Sequence, residues 1–188
     1  MMRTAVYSGS FNPLHIGHLA ILRRLTGLYD RVLLVVSPVN PLKSSARAED
    51  AVARLNAARE AVERHPELGG RVEVSDVEFH LPVPNYTITT LDALRRASGT
   101  EGEEFTLVIG GDQIADFRRW RDYRRILTEY GIAVFPREGF DSEAERQALI
   151  KDIPGARITL IEMPLVNVSS TGIRAALSRG EDVSDLLM

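Results

Sequence analysis

Six short apolar runs, most followed by a stretch of helical periodicity, limit what this chain can fold into more than any other feature. Thr4–Tyr7, Val32–Val36, Val72–Val74, Phe105–Ile109, Ile132–Phe135 and Ile158–Ile161 are rich in Val, Ile, Leu and Phe, and most lack a polar face. Such runs predict parallel strands covered on both sides, because a strand with one face in water alternates apolar and polar residues. Between them, Leu19, Leu22 and Leu25, then Val52, Leu55, Ala58 and Val62, then Leu91, Leu94 and Ala97 recur at three- and four-residue spacing. That spacing marks helices with one apolar face. Repeated strand–helix alternation predicts an α/β fold with a doubly wound, mostly parallel sheet and helices on both faces. At 188 residues the chain fits a single domain, 1–188, with no repeat or low-complexity tract to divide it.

Composition narrows the class. The absence of cysteine excludes disulfide staples, thiolate metal sites and cysteine nucleophiles, and fits a reducing compartment. Lys and Arg number 23 and Asp and Glu 26, a formal net charge of −3, so no basic field is expected to hold a nucleic acid polymer. A small phosphorylated ligand needs only a local anion site and stays open. No apolar run approaches the roughly 18 residues of a membrane span. The N-terminal MMRTAVYSGSFNP turns polar too early for a secretory leader. The expectation is a cytoplasmic protein with no membrane partner.

In a doubly wound sheet ligands sit beyond the carboxyl ends of the strands, so the residues after each strand matter most. The first strand runs into GSFNPLHIGH, Gly9 to His18. Gly9 offers backbone freedom and room for a ligand against the chain. His15 and His18 stand three residues apart, on one face of a helix that begins here, near its positive end. Gly17 between them leaves space for a flat group. Two imidazoles and free N–H groups at a helix start make a clamp for phosphate oxygens. The alternative is that the histidines only cap or pack that helix. A G-x-G-x-x-G fingerprint and a Walker-type G-x-x-x-x-G-K-[ST] are both absent, against hydride transfer and a kinase of that build. H-x-x-H without an adjacent Glu or a third ligand also argues against zinc hydrolysis, and no protein-held metal is expected.

Two irregular stretches, Ser37–Asp50 and Phe79–Tyr86, each carry two prolines and predict loops, the longer of them functional. The last strand is followed by VNVSSTGIRAAL, Val166 to Leu177. Ser169 or Ser170 can cap the helix that starts there, Thr171 adds a hydroxyl, and Arg174 lies one turn on. Hydroxyls, free N–H groups and a guanidinium at one helix start form a polyphosphate site, with plain capping as the alternative.

GSFNPLHIGH and SSTGIR together resemble the nucleotidyltransferase superfamily marked by an HxGH element and a late (I/V)SST-x-(I/V)R element. NPLK at Asn40–Lys43, Arg54–Leu55, NYTITTL at Asn85–Leu91, GGDQI at Gly110–Ile114 and Trp120 follow in family order. They narrow the likeness to the bacterial nicotinate-nucleotide adenylyltransferases. Two departures stand out: Leu42 replaces a family histidine, and an RPG turn after the fifth strand reads Arg137-Glu138-Gly139.

The resemblance implies a Rossmann-like fold and transfer of AMP from ATP to nicotinate mononucleotide, giving deamido-NAD and pyrophosphate. It assigns His18 to the α-phosphate, and His15, Lys43, Ser169, Ser170 and Arg174 to the departing phosphates. Gly9, Ser10, Phe11, Gly17, Gly110, Asp112 and Thr171 complete the ATP set, with Asp112 either a helix cap or a ribose or metal-placing contact. Trp120 would stack on the pyridine ring, with Tyr86 and Thr87 opposite offering backbone N–H groups. Lys43 and Arg121 would flank the mononucleotide, Arg121 either attracting its carboxylate or merely solvated. His18, His15 and Lys43 form the expected catalytic set, and Mg2+ is expected to arrive with the ATP. Two other readings stay open. A pantetheine-phosphate-type adenylyltransferase shares HxGH but needs neither Trp120 nor YTITTL, and a nucleotide-binding module would lack turnover altogether. His65 and His80 have no expected role.

Overall fold

A computed structural model describes residues 1–38 and 48–188. Six strands form one sheet: β1 (Arg3–Gly9), β2 (Arg31–Val36), β3 (Val72–Ser75), β4 (Glu104–Gly110), β5 (Ile132–Phe135) and β6 (Ile158–Leu160). They lie in the order β3-β2-β1-β4-β5-β6, with every pair parallel. The predicted strands agree to within two residues at either end. The first crossovers run through α1 (Ile16–Thr26), α2 (Ala48–Glu63) and α3 (Thr87–Ala97). Short α4 (Gly111–Ile114) and α5 (Tyr123–Arg125), then α6 (Ser142–Asp152), accompany the second half, and α7 (Ser170–Ser178) follows β6. Among the described residues no helix is long and apolar enough to cross a membrane.

The sheet divides two apolar layers by the two-residue period of its strands. Ala5, Tyr7, Leu34 and Val36 face one layer with Leu19, Leu22 and Leu25 of α1 and Leu55 and Ala58 of α2. Val6, Leu33, Val35, Leu107 and Ile109 face the other with Leu91 and Leu94 of α3 and Leu149 of α6. Both faces are therefore apolar, which is why the strand sequences show no polar alternation. Two stripe residues depart from expectation. Val52 and Ala97 are exposed, and the buried face of α2 runs through Ala51, Arg54, Leu55, Ala58 and Ala61. Helix α6 had no visible stripe because, of its eleven residues, only Leu149 is buried. The predicted loop Phe79–Tyr86 is irregular after His80, but its first two residues close a 3-10 turn, Val77–His80.

The order reverses between β1 and β4, so chain leaves the carboxyl ends of these neighbours in opposite directions and a crevice opens there. Strand β4 pairs with both β1 and β5, and Leu107 at its middle is 1% exposed. Leu107→Ala is expected to lower stability by about 2–5 kcal/mol, the usual cost of such a cavity. Urea denaturation should show a lower midpoint with an unchanged slope.

Candidate active site

The loop after β1 delivers the two histidines as a reciprocal cap of α1. The Nδ1 of His15, the residue before the helix, accepts from the Gly17 N–H at 3.1 Å, and the His15 N–H donates to Nδ1 of His18 at 3.1 Å. The rings stack with centroids 3.7 Å apart and planes 30° from parallel. Capping and ligand binding are therefore not alternatives at this position. Since both Nδ1 atoms accept, each neutral ring carries its proton on Nε2, and neither Nε2 bonds any described residue. Burial holds both imidazoles neutral, aided by the nearby charge of Arg137: His15 is pushed down to about 4 and His18 to about 3.

The glycines here are required by packing. A Cβ on Gly17 would lie 2.7 Å from Val166 Cγ1 and 2.9 Å from the His15 ring, so its missing side chain makes room for the stack itself. A Cβ on Gly9 would lie 3.1 Å from the Phe11 ring, and the left-handed backbone falls not on Gly9 but on Phe11, at φ 46°. The Phe11 ring is buried and meets His18 edge-on at 5.2 Å, so it backs the imidazole.

Helix α7 docks on the same loop. The Ser169 hydroxyl caps α7 by accepting from the Gly172 N–H at 3.0 Å, and the Ser170 hydroxyl donates to the Pro13 carbonyl at 3.0 Å. Arg174 donates to the Asn12 carbonyl and, at 3.1 Å, to the Thr171 hydroxyl. The sheet thus brings Ser169, Ser170, Thr171 and Arg174 to the chain that carries His15 and His18. Lys43 lies outside the described residues.

On the far side of Gly9 and Ser10 is a cavity of about 540 Å³, also lined by Asn85, Tyr86, Thr87, Trp120 and Arg121. Phe117 covers one face of the half-buried Trp120, with ring centroids 4.9 Å apart. Arg121 is exposed and lies over the Tyr86 ring at 4.6 Å, a cation–π contact. Thr87 opens α3, so its N–H has no partner within the helix, and the Arg121 N–H is likewise unpaired among the described residues. Gly110 precedes α4 and its N–H donates to Gln113 Oε1 at 3.0 Å, while Asp112 makes no cap bond. Asp112 Oδ1 instead lies 3.6 Å from Arg137 Nε.

Sequence reasoning missed the floor of this cavity. Glu78 is buried, and its carboxylate accepts from the Ser37 hydroxyl at 2.6 Å and the Thr90 hydroxyl at 2.9 Å. Its carbonyl accepts from Asn85 Nδ2 at 3.0 Å. Its sequence signal was an acid between apolar Val77 and Phe79, in a segment with no period to show which way it faced.

The buried imidazoles set a pH dependence. Unfolded, each ring takes a proton near its ordinary pKa of about 6.5; folded, His15 does so only near 4 and His18 near 3. Between those limits the unfolded chain binds more protons, so this stability is complete above pH 6.5 and is lost as pH falls toward 4 and 3. Each group adds up to about 1.4 kcal/mol per pH unit in that window. Urea denaturation from pH 7 to 5 should show the decline, and His18→Asn should flatten it. An equal slope in the variant would contradict the neutral, buried assignment.

The cytidylyltransferase-like family model matches residues 6–176. A Bacteroides fragilis protein named "Probable nicotinate-nucleotide adenylyltransferase" is 40% identical over 184 residues, covering 96% of this chain and 85% of its own. A Flavobacterium johnsoniae protein of the same name is 34% identical over 188 residues, covering 99% and 92%. Among solved structures, the Plasmodium falciparum nicotinic acid mononucleotide adenylyltransferase complexed with NaAD superposes with a TM-score of 0.79 at 20% identity, over 98% of this chain and 88% of that one. At that identity the match speaks for the fold. The sheet order, the paired histidines and these relatives agree: the chain belongs to the cytidylyltransferase-like family and, within it, to the nicotinate-nucleotide adenylyltransferases.

Proposed function

We propose that this chain, as one domain over residues 1–188, joins the AMP part of ATP to nicotinate mononucleotide, releasing pyrophosphate and forming deamido-NAD. The observation that carries this reading is adjacency. The Gly9–Ser10 backbone that walls the cavity of Tyr86, Thr87 and Trp120 continues directly into the stacked histidines. A flat pyridinium ring that bears a carboxylate, on one side of that backbone, places its own phosphate near a donor phosphate on the other. The full-length relatives named for this activity support the same reading.

The reaction needs no covalent nucleophile. A phosphate oxygen of the mononucleotide attacks the α-phosphorus of ATP, the new P–O bond forms as the bond to the β-phosphate oxygen breaks, and pyrophosphate leaves with the electron pair. Phosphate is already ionised at neutral pH, so the protein contributes alignment and charge stabilisation. His18 is assigned to the α-phosphate through Nε2–H. His15, Lys43, Ser169, Ser170, Thr171 and Arg174 are assigned to the leaving phosphates, Arg174 also steadying the Asn12 carbonyl. Mg2+ is read as part of the ATP substrate, and among the described residues no three His, Asp or Glu side chains gather to hold an ion themselves. A cytoplasmic setting suits an enzyme that draws on ATP.

If His18 bonds charge that grows in the transition state, His18→Ala should cut turnover by about 100- to 1,000-fold. The Michaelis constant for ATP should change far less. Turnover near that of the wild type would leave His18 a cap and nothing more.

Acceptor choice tests the substrate itself. The unpaired N–H groups at Thr87 and Arg121 are donors, which suit both oxygens of a carboxylate, whereas a carboxamide must turn an N–H₂ toward one of them. Charged hydrogen bonds contribute about 1.5–3 kcal/mol against 0.5–1.5 for neutral ones, and a mispaired donor costs about 1–3 more. The acid should therefore be preferred at least tenfold over nicotinamide mononucleotide in kcat/KM with ATP in excess. Equal values would remove the nicotinate assignment and leave adenylyl transfer standing. Pyrophosphate release with 4′-phosphopantetheine in place of either mononucleotide would favour the pantetheine-type enzyme, and no release with any of the three acceptors would leave a nucleotide-binding module.

A further inference from the structure

The basic side chains at the carboxyl end of the sheet differ in whether their donors are already committed. Arg54, buried on α2, donates to the carbonyls of Ser10, Ser37 and Pro38 and so ties the loop after β1 to the loop after β2. Arg174 is held by the Asn12 carbonyl and the Thr171 hydroxyl. Arg121 lies over Tyr86 in the cavity beyond Gly9. Arg137, just past the end of β5, is different. Its side chain donates no hydrogen bond to any described residue, and its Nε is buried without a partner. Buried, unpaired donors of this kind are costly and rare in folded proteins.

Its position is constrained all the same. The guanidinium lies over the Phe135 ring, 5.1 Å from the centroid, and Asp112 Oδ1 stands 3.6 Å from Nε, close enough to attract but too far to bond. Arg137 shares a narrow crevice with His15, Gly17 and His18, and its charge opposes protonation of both imidazoles. A planar fork of N–H donors, stacked on Phe135 and without a hydrogen-bond partner among the described residues, in the same crevice as two imidazoles, calls for a multivalent oxyanion.

We propose that Arg137 binds the β,γ-phosphate end of the donor triphosphate and, after transfer, the pyrophosphate product. This rests on the adenylyl-transfer reading above. The mononucleotide is not the partner, because Arg137 does not line the cavity of Tyr86 and Trp120. Arg137 is thus a phosphate-binding residue contributed by the Arg137-Glu138-Gly139 turn after β5, which keeps the arginine of RPG and replaces its proline.

Calorimetric titration of the wild type, Arg137→Gln and Arg137→Lys with ATP, inorganic pyrophosphate, adenosine and nicotinate mononucleotide tests the proposal without turnover. Arg137→Gln should weaken ATP and pyrophosphate roughly 10- to 150-fold, the range for one charge-assisted hydrogen bond. Adenosine and nicotinate mononucleotide should bind within about twofold of the wild type, with Tm unchanged. Arg137→Lys keeps the charge but not the fork and should recover part of the loss. Unchanged ATP and pyrophosphate binding would overturn the proposal. So would an equal loss for adenosine, which would place Arg137 on the nucleoside through Asp112, or a loss for every ligand with a lower Tm. If Arg137→Gln does not fold, full wild-type affinity for pyrophosphate in Arg137→Lys would argue against the fork. A wild type that binds ATP but makes no deamido-NAD would fail the functional reading instead.

Discussion

The hydrogen bond from Gly17 N–H to His15 Nδ1, with its return partner from His15 N–H to His18 Nδ1, is the constraint around which the rest of the site is arranged. It satisfies donors that a helix start always leaves open, and it uses ring nitrogens rather than the usual hydroxyl or carboxylate. The choice has consequences on both rings. Each imidazole is fixed in the tautomer that carries its proton on Nε2, and the two rings are stacked 3.7 Å apart. It also demands glycine at position 17, since a Cβ would strike His15 and Val166. The cap therefore links helix formation, ring orientation and neutrality, and a change in one disturbs the others.

Around this pair the protein builds walls from distant segments. Helix α7 is drawn onto the loop after β1 by Arg174 and Ser170, across more than 150 residues of sequence. Antiparallel pairing of His15 with Leu187 secures the loop from another side. Arg54 spans the loops after β1 and β2, and Glu78 gathers hydroxyls from the loop after β2 and from α3 beneath the aromatic cavity. The ties made by Arg54 and Glu78 use side chains that are themselves buried, where a hydrogen bond holds geometry well and its loss is costly. Buried side chains thus support the walls of the site, while the assigned ligand-facing donors at His15, His18, Thr87 and Arg121 are left unpaired among the described residues.

How far this was legible depended on whether a signal is local. Strands covered on both sides announce themselves by composition, and helices α1 and α3 by period, because neither property requires knowledge of the partner. The same logic misplaced Val52 and Ala97, since a spacing rule cannot tell the centre of a buried stripe from its edge. Helix α6 was invisible because one buried Leu149 makes no period. The histidine and Ser-Ser-Thr motifs were found because each lies within a dozen residues, whereas the acidic floor at Glu78 joins Ser37 to Thr90 across 53 positions.

The sequence by itself determined the alternating α/β architecture, the helix starts at His15 and Ser169, and the residue types able to meet phosphate and an aromatic ring. These are properties of short segments, governed by side-chain period, turn chemistry and the open N–H groups at a helix start. Only the tertiary structure decided that the histidines cap and stack, that Gly17 serves the stack, that Arg174 and Arg54 are committed to backbone carbonyls, and that Arg137 is left uncommitted beside the imidazoles. Those outcomes depend on which groups meet once the sheet reverses direction between β1 and β4. Parallel pairing puts the carboxyl ends of the strands on one edge of the sheet, and the reversal there makes neighbours of segments that are far apart in sequence, so no local pattern records which side chains meet.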